Sequence, residues 1–284
     1  MLRLRDIQRR FDRAAASFGE ADFVHAVTRD GLLARLEPLL LQPQTILDLG
    51  SATGATGRLL RLRFRRAHII YADLSHAMLG QARKNKPWFS RSSFIQCDAQ
   101  RLPFTDASFD MVVANQMLPW APDPQPVFAE VSRVLRAGGV FAFATLGPDS
   151  FRELGRAWAT VDSGAHVNRF PDMHDIGDGL VRAGLRDPVL DVDRLVVSYE
   201  NPDRLFADLT RAGARNALAS RSPGMAGRGK FRAMADALAS SGANGKILLD
   251  LELVYGHCWG SGPKNDPANF KIDANRIPRR RPAG

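Results

Sequence analysis

The chain of 284 residues, 45% of them hydrophobic, is long enough for one large α/β domain or two small ones, and that content excludes disorder over most of its length. Its 39 Lys and Arg against 30 Asp and Glu give a formal charge of +9, which favours an acidic partner without choosing among nucleic acid, an anionic membrane surface and an acidic protein. Cys97 and Cys258 fit neither a disulfide framework nor a zinc spacing, so a reduced, cytoplasmic setting is expected, and no apolar run approaches the ~20 residues that span a bilayer.

The N-terminal MLRLRDIQRRFDRAAASF is Arg-rich, yet Asp6, Asp12 and Glu20 argue against a transit peptide. Leu4, Ile7, Phe11, Ala14, Ala15 and Phe18 follow the spacing of one buried stripe, which predicts an amphipathic helix. Residues 1–40 are expected to cover a site formed by the core. Short apolar runs follow at Thr45–Leu49, His68–Asp73, Ser93–Asp98, Met111–Asn115 and Val140–Thr145, the pattern of strands buried on both faces. Between them Ala77–Lys84 and Pro126–Arg136 read as helices, the second stopped by Gly138-Gly139.

Ser150–Thr160 and Asp172–Ala183 read as further helices, Pro188–Tyr199 as a long strand and Ile247–Trp259 as the last one. The expected fold class is α/β: a doubly wound, seven-stranded, mostly parallel sheet with a helical insertion before the last strand. The core spans 41–200 and 246–259. Residues 201–245, helical, basic and broken by Arg221-Ser-Pro-Gly-Met-Ala-Gly-Arg-Gly229, read as a lid-like insertion. The stretch 260–284, rich in Pro, Gly and Asn and containing Arg279-Arg280-Arg281, reads as a flexible basic tail.

Ligands of such a sheet sit beyond the carboxyl ends of the strands. Those ends carry Asp48 and Gly50, then Asp73, Asp98, Asn115 and Thr145. A single Asp there is an ordinary turn former or helix cap. A row of Asp48, Asp73 and Asp98 behind a Gly-rich loop points instead to a site. The run Ile46-Leu-Asp-Leu-Gly50-Ser-Ala-Thr-Gly54-Ala-Thr-Gly57 is strand, small-residue turn and helix, a shape that brings a ligand to free backbone N–H groups. Asp73 stands where an acid can accept both hydroxyls of a ribose, an arrangement that equally suits a dinucleotide.

Asp98-Ala-Gln-Arg-Leu-Pro-Phe104, Ser108–Asn115 and Arg133–Gly139 follow in order. With the glycine loop they resemble the class I S-adenosylmethionine-dependent methyltransferases over about residues 40 to 145. The resemblance implies S-adenosylmethionine as cofactor. It places Asp48, Gly50, Ser51, Ala52 and Gly54 around the methionine and ribose end, Asp73 on the ribose and Leu74 and Met78 against the adenine. Asp98 and Ala99 would meet the adenine amino group, and Asn115 would border the transferred methyl. One departure stands out: the family's Gly-Cys-Gly-x-Gly is Gly50-Ser51-Ala52-Thr53-Gly54 here. The Ala52 methyl is tolerable at negative φ and harmful at positive φ.

Phe11–Phe18, Asn115–Trp120, Thr145–Leu154, Trp158–Asp162, His166–Pro171 and Asp208–Ala214 together resemble the biotin-synthesis methyltransferases that esterify the free carboxylate of malonyl-acyl-carrier protein. A malonyl carboxylate is already ionised near neutral pH, so it needs orientation rather than a base. Arg169 is the expected holder of one carboxylate oxygen, with Arg152 and Arg156 in reserve, against the plainer reading of solvated surface charges. Trp120 is expected to wall the substrate channel, against ordinary core packing. Where the family commonly has Tyr with a Gln seven residues on, this chain has Phe18 and His25.

His166, Asp172, His174 and Asp175 lack a metal-ligand spacing, and no metal is expected. Seven basic residues against three acidic ones between Glu200 and Arg232 fit docking of an acidic carrier on residues 201–232 of a monomer. Other readings are a methyltransferase-fold assembly factor resembling those of respiratory complex I, and a methyltransferase for another carboxylate. A nucleic-acid methyltransferase would lack an Asn/Asp-Pro-Pro-Tyr-type motif and a nucleic-acid-binding module, so no nucleic acid is expected as partner.

Overall fold

The computed structural model describes residues 3–87, 90–215, 227–242 and 245–261. Helices α1 (Leu4–Ala14) and α2 (Phe23–Leu36) lead into β1 (Thr45–Leu49), α3 (Ala55–Arg63), β2 (His68–Asp73), α4 (His76–Lys84), β3 (Ser92–Gln96) and β4 (Phe109–Asn115). Next come α5 (Pro124–Val134), β5 (Leu135–Leu146), α6 (Arg152–Ala159), α7 (Met173–Arg182) and β6 (Arg186–Tyr199). The insertion α8 (Pro202–Arg211) and α9 (Arg228–Ser240) then precedes β7 (Ile247–Trp259).

The seven strands form one sheet in the order β3-β2-β1-β4-β5-β7-β6. The first five are parallel, and β7 runs antiparallel to both β5 and β6. Successive side chains of a strand face opposite ways, so the continuous apolar runs feed two cores. Leu47, Leu49, Val112, Phe141 and Phe143 pack on one side of the sheet, and Ile46, Tyr71, Met111, Val113 and Ala142 on the other. Strand order reverses at β1, which lies between β2 and β4. Their carboxyl ends therefore open a crevice.

Several expected boundaries move, among them the third strand, which ends at Gln96 rather than Asp98, and two helix ends. Helix α5 stops at Val134 rather than Arg136, because Leu135 is already extended at ψ 138°, fully buried and paired with Phe109. Gly138 and Gly139 fall in the irregular opening of β5, where a Cβ on Gly139 would approach the carbonyls of Arg136 and Asp110 to 3.0 and 3.1 Å. Helix α1 ends at Ala14, and Phe18 begins a separate 3-10 turn, Phe18–Glu20.

Helix α2 is tied across the sheet to the edge strand. The Arg35 guanidinium donates to Asp191 and Asp193 of β6, both at 2.8 Å or less, and lies 3.9 Å over the Tyr255 ring. Of the expected insertion, α8 and α9 are described, while residues 216–226, with Arg221, lie outside the described residues, as does the tail beyond residue 261. Among the described residues no helix is long and apolar enough to cross a membrane.

Candidate active site

The turn after β1 is shaped by three consecutive demands on the backbone. Gly50 (φ 72°) and Gly54 (φ 80°) are left-handed, and a Cβ on Gly50 would fall 2.4 Å from the Met117 side chain. Between them Ala52 sits at φ 45°, the positive value at which its methyl is strained by about 1–2 kcal/mol relative to glycine. That methyl packs with Phe11 against the cluster of Ala14, Ala15, Phe18 and Met78, so the N-terminal helix leans on the loop.

Hydrogen bonds lock the turn to the neighbouring strand. The Gly50 and Ser51 N–H groups donate to the Ala72 carbonyl at 2.8 and 3.0 Å. Asp73 Oδ2 accepts from the Ala52 N–H and its Oδ1 from the Ser75 N–H, each at 2.8 Å. A carboxylate has about four acceptor sites, so room is left for a hydroxyl beside these backbone donors. Asp12 of α1 accepts from Ser75 Oγ at 2.6 Å, closing the N-terminal helix over this corner. Burial pushes Asp73 up to about 6, with the Asp12 charge adding to the shift and the Ser75, Ala52 and Leu74 N–H groups opposing it.

Two cavities open from the crevice. The narrower is lined by Gly50, Ser51, Ala52, Asp73, Leu74, Asp98, Ala99, Asn115 and Trp120 among the residues expected from the sequence. Asp48, Gly54 and Met78 stand behind its wall. Asp48 is buried and accepts from the Gly57 N–H at 2.8 Å, bracing the start of α3, and burial pushes it up to about 7. Met78 is fully buried under α1.

The wider cavity measures about 1180 Å³ and lies between the β6–β7 ribbon, α6 and the insertion. Apolar side chains such as Phe151, Leu154, Trp158, Tyr199 and Phe206 make most of its wall, while Arg10, Arg215, Arg228 and Lys230 supply cations. Trp158 stacks on His166 with ring centroids 3.8 Å apart. His166 Nε2 is 2.6 Å from Asp162 Oδ1, and Lys230 of α9 donates to Asp162 Oδ2 at 3.1 Å. Those bonds hold the Asp162 carboxyl well below its usual range. The distinctive His166–Phe170 segment thus ties the core to the insertion.

The structure places Arg169, the expected holder of one carboxylate oxygen, at the surface. Asn168 and Phe170 line the wide cavity, but Arg169 between them is exposed and lines neither. Successive side chains of a non-helical stretch diverge, and the cavity takes its neighbours. Arg152 and Arg156 line neither cavity as well; Arg152 pairs with Asp149. Asp172 caps α7 by accepting from the His174 N–H at 2.8 Å.

Three described residues line both cavities: His25, Gln116 and Trp120. Trp120 meets Phe11 edge-on at 5.0 Å, which joins α1 to the junction. Asn115 Nδ2 donates to the His25 carbonyl at 2.9 Å. Gln116 carries the strained φ of 56°. Burial, helped by the Arg29 charge, lowers His25 to about 4, so it is neutral at physiological pH. No motif singles out Gln116, and His25 stands out only as a departure from the family; a polar residue directly after a strand-ending Asn is the available signal.

The residues fit a nucleoside sulfonium. Buried polar atoms without a partner gather on the two cavities, at His25 Nδ1, Arg29 Nε, Ser51 Oγ, Asn115 Oδ1, Gln116 Nε2 and Asn168 Oδ1. Such atoms are costly unless a ligand meets them. An acid on the ribose position, a close-approach loop at a helix N-terminus and a switch-point crevice define a class I S-adenosylmethionine-dependent methyltransferase.

A family profile described as a methyltransferase domain matches residues 47–143. The chain is 38% identical to the malonyl-[acyl-carrier protein] O-methyltransferase of Halorhodospira halophila, over 98% of this chain and 96% of that protein. It is 40% identical to the protein of the same name from Laribacter hongkongensis, over 88% and 86%. The chain belongs to the malonyl-[acyl-carrier protein] O-methyltransferase family. Its fold matches a chain from the complex between the Haloferax volcanii Trm112 methyltransferase activator and a methyltransferase, at TM-score 0.58 and 21% identity, covering 92% of this chain and 100% of that one.

Proposed function

We propose that this enzyme esterifies the free carboxylate of malonyl-acyl-carrier protein, a step of biotin (pimeloyl) synthesis in the cytoplasm, and works as a monomer. The observation that carries this reading is the pair of cavities meeting at His25, Gln116 and Trp120. Bound in the narrow cavity, S-adenosylmethionine supplies a methyl on a positively charged sulfur, open to in-line displacement. Gly50, Ser51 and Ala52 would surround its methionine and ribose end, Asp73 would take the ribose hydroxyls, and Asp98 and Ala99 would meet the adenine amino group. Asn115 fixes α2 at the junction through the His25 carbonyl.

A volume of about 1180 Å³ exceeds what a malonyl group needs and leaves room for the arm that tethers it to a carrier. The apolar wall excludes water from an anion and a sulfonium that neutralise each other as they react. No proton moves, which agrees with a junction that holds a neutral histidine.

At the cavity, Arg215 and Arg228 are exposed and suit an acidic carrier, whereas Lys230 is paired with Asp162. Arg211 is engaged with Glu20 and Asp208 and is the weaker candidate for docking. The test is label transfer from methyl-labelled S-adenosylmethionine to malonyl-carrier, free carrier or RNA. Alkali-labile label on the malonyl form alone is expected. Label on RNA, or none with cofactor bound, would contradict the reading. Charge reversal at Arg215 and Arg228 is expected to raise KM for the carrier-bound substrate while leaving cofactor affinity unchanged.

A further inference from the structure

The junction between the two cavities combines polar and aromatic side chains. Trp120 supplies the aromatic wall. Opposed to it in chemistry are His25, from α2, and Gln116, from the residue that follows β4. Both line both cavities, and each carries a buried side-chain nitrogen with no partner: Nδ1 of His25 and Nε2 of Gln116. Gln116 is also held at φ 56°, a left-handed conformation that a non-glycine residue adopts at a cost and that clusters at functional sites. Its backbone N–H donates to the Ala144 carbonyl at 2.8 Å, and the Asn115 side chain bonds the His25 carbonyl, so both residues are fixed through the main chain while their polar tips stay unpaired.

We propose that His25 and Gln116 form a neutral donor pair that selects a substrate carboxylate and orients one of its oxygens toward the methyl. This inference rests on the carboxyl-methylation reading above. In the reaction a carboxylate oxygen forms the new bond to the methyl carbon, the carbon–sulfur bond breaks, and its electron pair stays on sulfur. Carboxylate and sulfonium lose their charges together, and no proton is transferred.

The charge change decides what kind of group belongs at the junction. Negative charge on the carboxylate falls between ground state and transition state, so a cation held against it would stabilise the substrate more than the transition state. Neutral donors lose less when that charge fades, and they can hold the oxygen that is not attacking. Desolvation keeps His25 uncharged. Arg29, further along α2, has its guanidinium 3.8 Å from Asp22. The exposed position of Arg169 is consistent with orientation by neutral donors.

The test uses the full chain and three readouts: cofactor affinity by calorimetry, turnover of malonyl-carrier, and inhibition by acetyl-carrier, which lacks the carboxylate. His25→Phe keeps an aromatic ring against Phe18, whose ring centroid lies 4.9 Å away, and Gln116→Met keeps side-chain length. Each is expected to lower kcat/KM for malonyl-carrier about tenfold, the loss of about one neutral hydrogen bond, with cofactor affinity within twofold. The double variant is expected to erase the preference for malonyl- over acetyl-carrier, and His25→Gln to restore most of the activity by returning an N–H donor.

Unchanged turnover in both single variants would overturn the proposal. A parallel loss of cofactor affinity, or a retained malonyl preference in the double variant, would overturn it too by making the residues structural. A wild-type enzyme that binds cofactor but does not methylate malonyl-carrier would overturn the underlying reading, a failure visible before any variant is made.

Discussion

The two halves of the sheet offer different means of binding. On the β3-β2-β1-β4 side, backbone does most of the work: the Gly50–Gly54 turn, the Ala52 and Ser75 N–H groups and the strand-ending acids sit at positions fixed by the strand–helix repeat. On the β5-β7-β6 side, the wide cavity is made by side chains from α2, α6, α8, α9 and the loop after α6. The contrast separates two tasks, since a cofactor of constant shape can be met by backbone, whereas an acyl group and its tether need a wall that side chains can tailor.

The largest effect that would sharpen this contrast is expected from Asp73→Ala. It removes the acceptor for the Ala52 and Ser75 N–H groups and the proposed ribose contact together. Bonds to a charged acceptor contribute about 1.5–3 kcal/mol each, so cofactor affinity should fall by at least about a hundredfold while carrier binding survives. The same residue sets a pH dependence. With its folded value raised to about 6 from 3.8, Asp73 contributes stability that is present in acid and lost as pH rises through about 6. Cofactor binding has the opposite sign, because hydroxyls prefer the ionised carboxylate. Calorimetry should show affinity falling below about pH 6 in the wild type and a flatter profile in Asp73→Asn.

Trp158→Ala probes the other half. Its ring is largely buried and stacked on His166, and aromatic truncations in such settings cost about 3–5 kcal/mol. Thermal unfolding should shift down, and KM for malonyl-carrier should rise about tenfold, with cofactor affinity in the surviving folded protein within twofold. An equal loss of cofactor affinity would break the division into two halves.

The smallest effect is expected from Ala52→Gly. Relief of strain at φ 45° offsets the added freedom of glycine in the unfolded chain and the lost methyl packing, leaving a gain of about 0.5 kcal/mol in stability. Cofactor affinity should rise about two- to threefold. A loss would show that the methyl, through Phe11 and Phe18, matters more for holding α1 closed than its strain costs.

The same division decides what was legible in the sequence. Thr45–Leu49 and His68–Asp73 stand where the apolar runs place them, because buried parallel strands leave an unambiguous signature. The acids closing those strands were visible for the same reason. Arg169 was legible only as part of a distinctive segment; which way a side chain turns in an irregular stretch depends on the cavity it borders. That Gln116 and His25 line both cavities is not legible in the sequence, because the junction forms where two distant segments meet. Met78, placed against the adenine by resemblance alone, packs with Ala14, Ala15 and Phe18.

The central claim is that cofactor and carboxylate meet at His25, Gln116 and Trp120. A crystal structure of the protein with S-adenosylhomocysteine and a malonyl-carrier tests it most directly. The claim predicts the cofactor sulfur and the malonyl carboxylate on either side of that junction, with a carboxylate oxygen bonded to His25 or Gln116. A carboxylate held instead at the outer mouth of the wide cavity, beside Lys230 or Arg228, would contradict it.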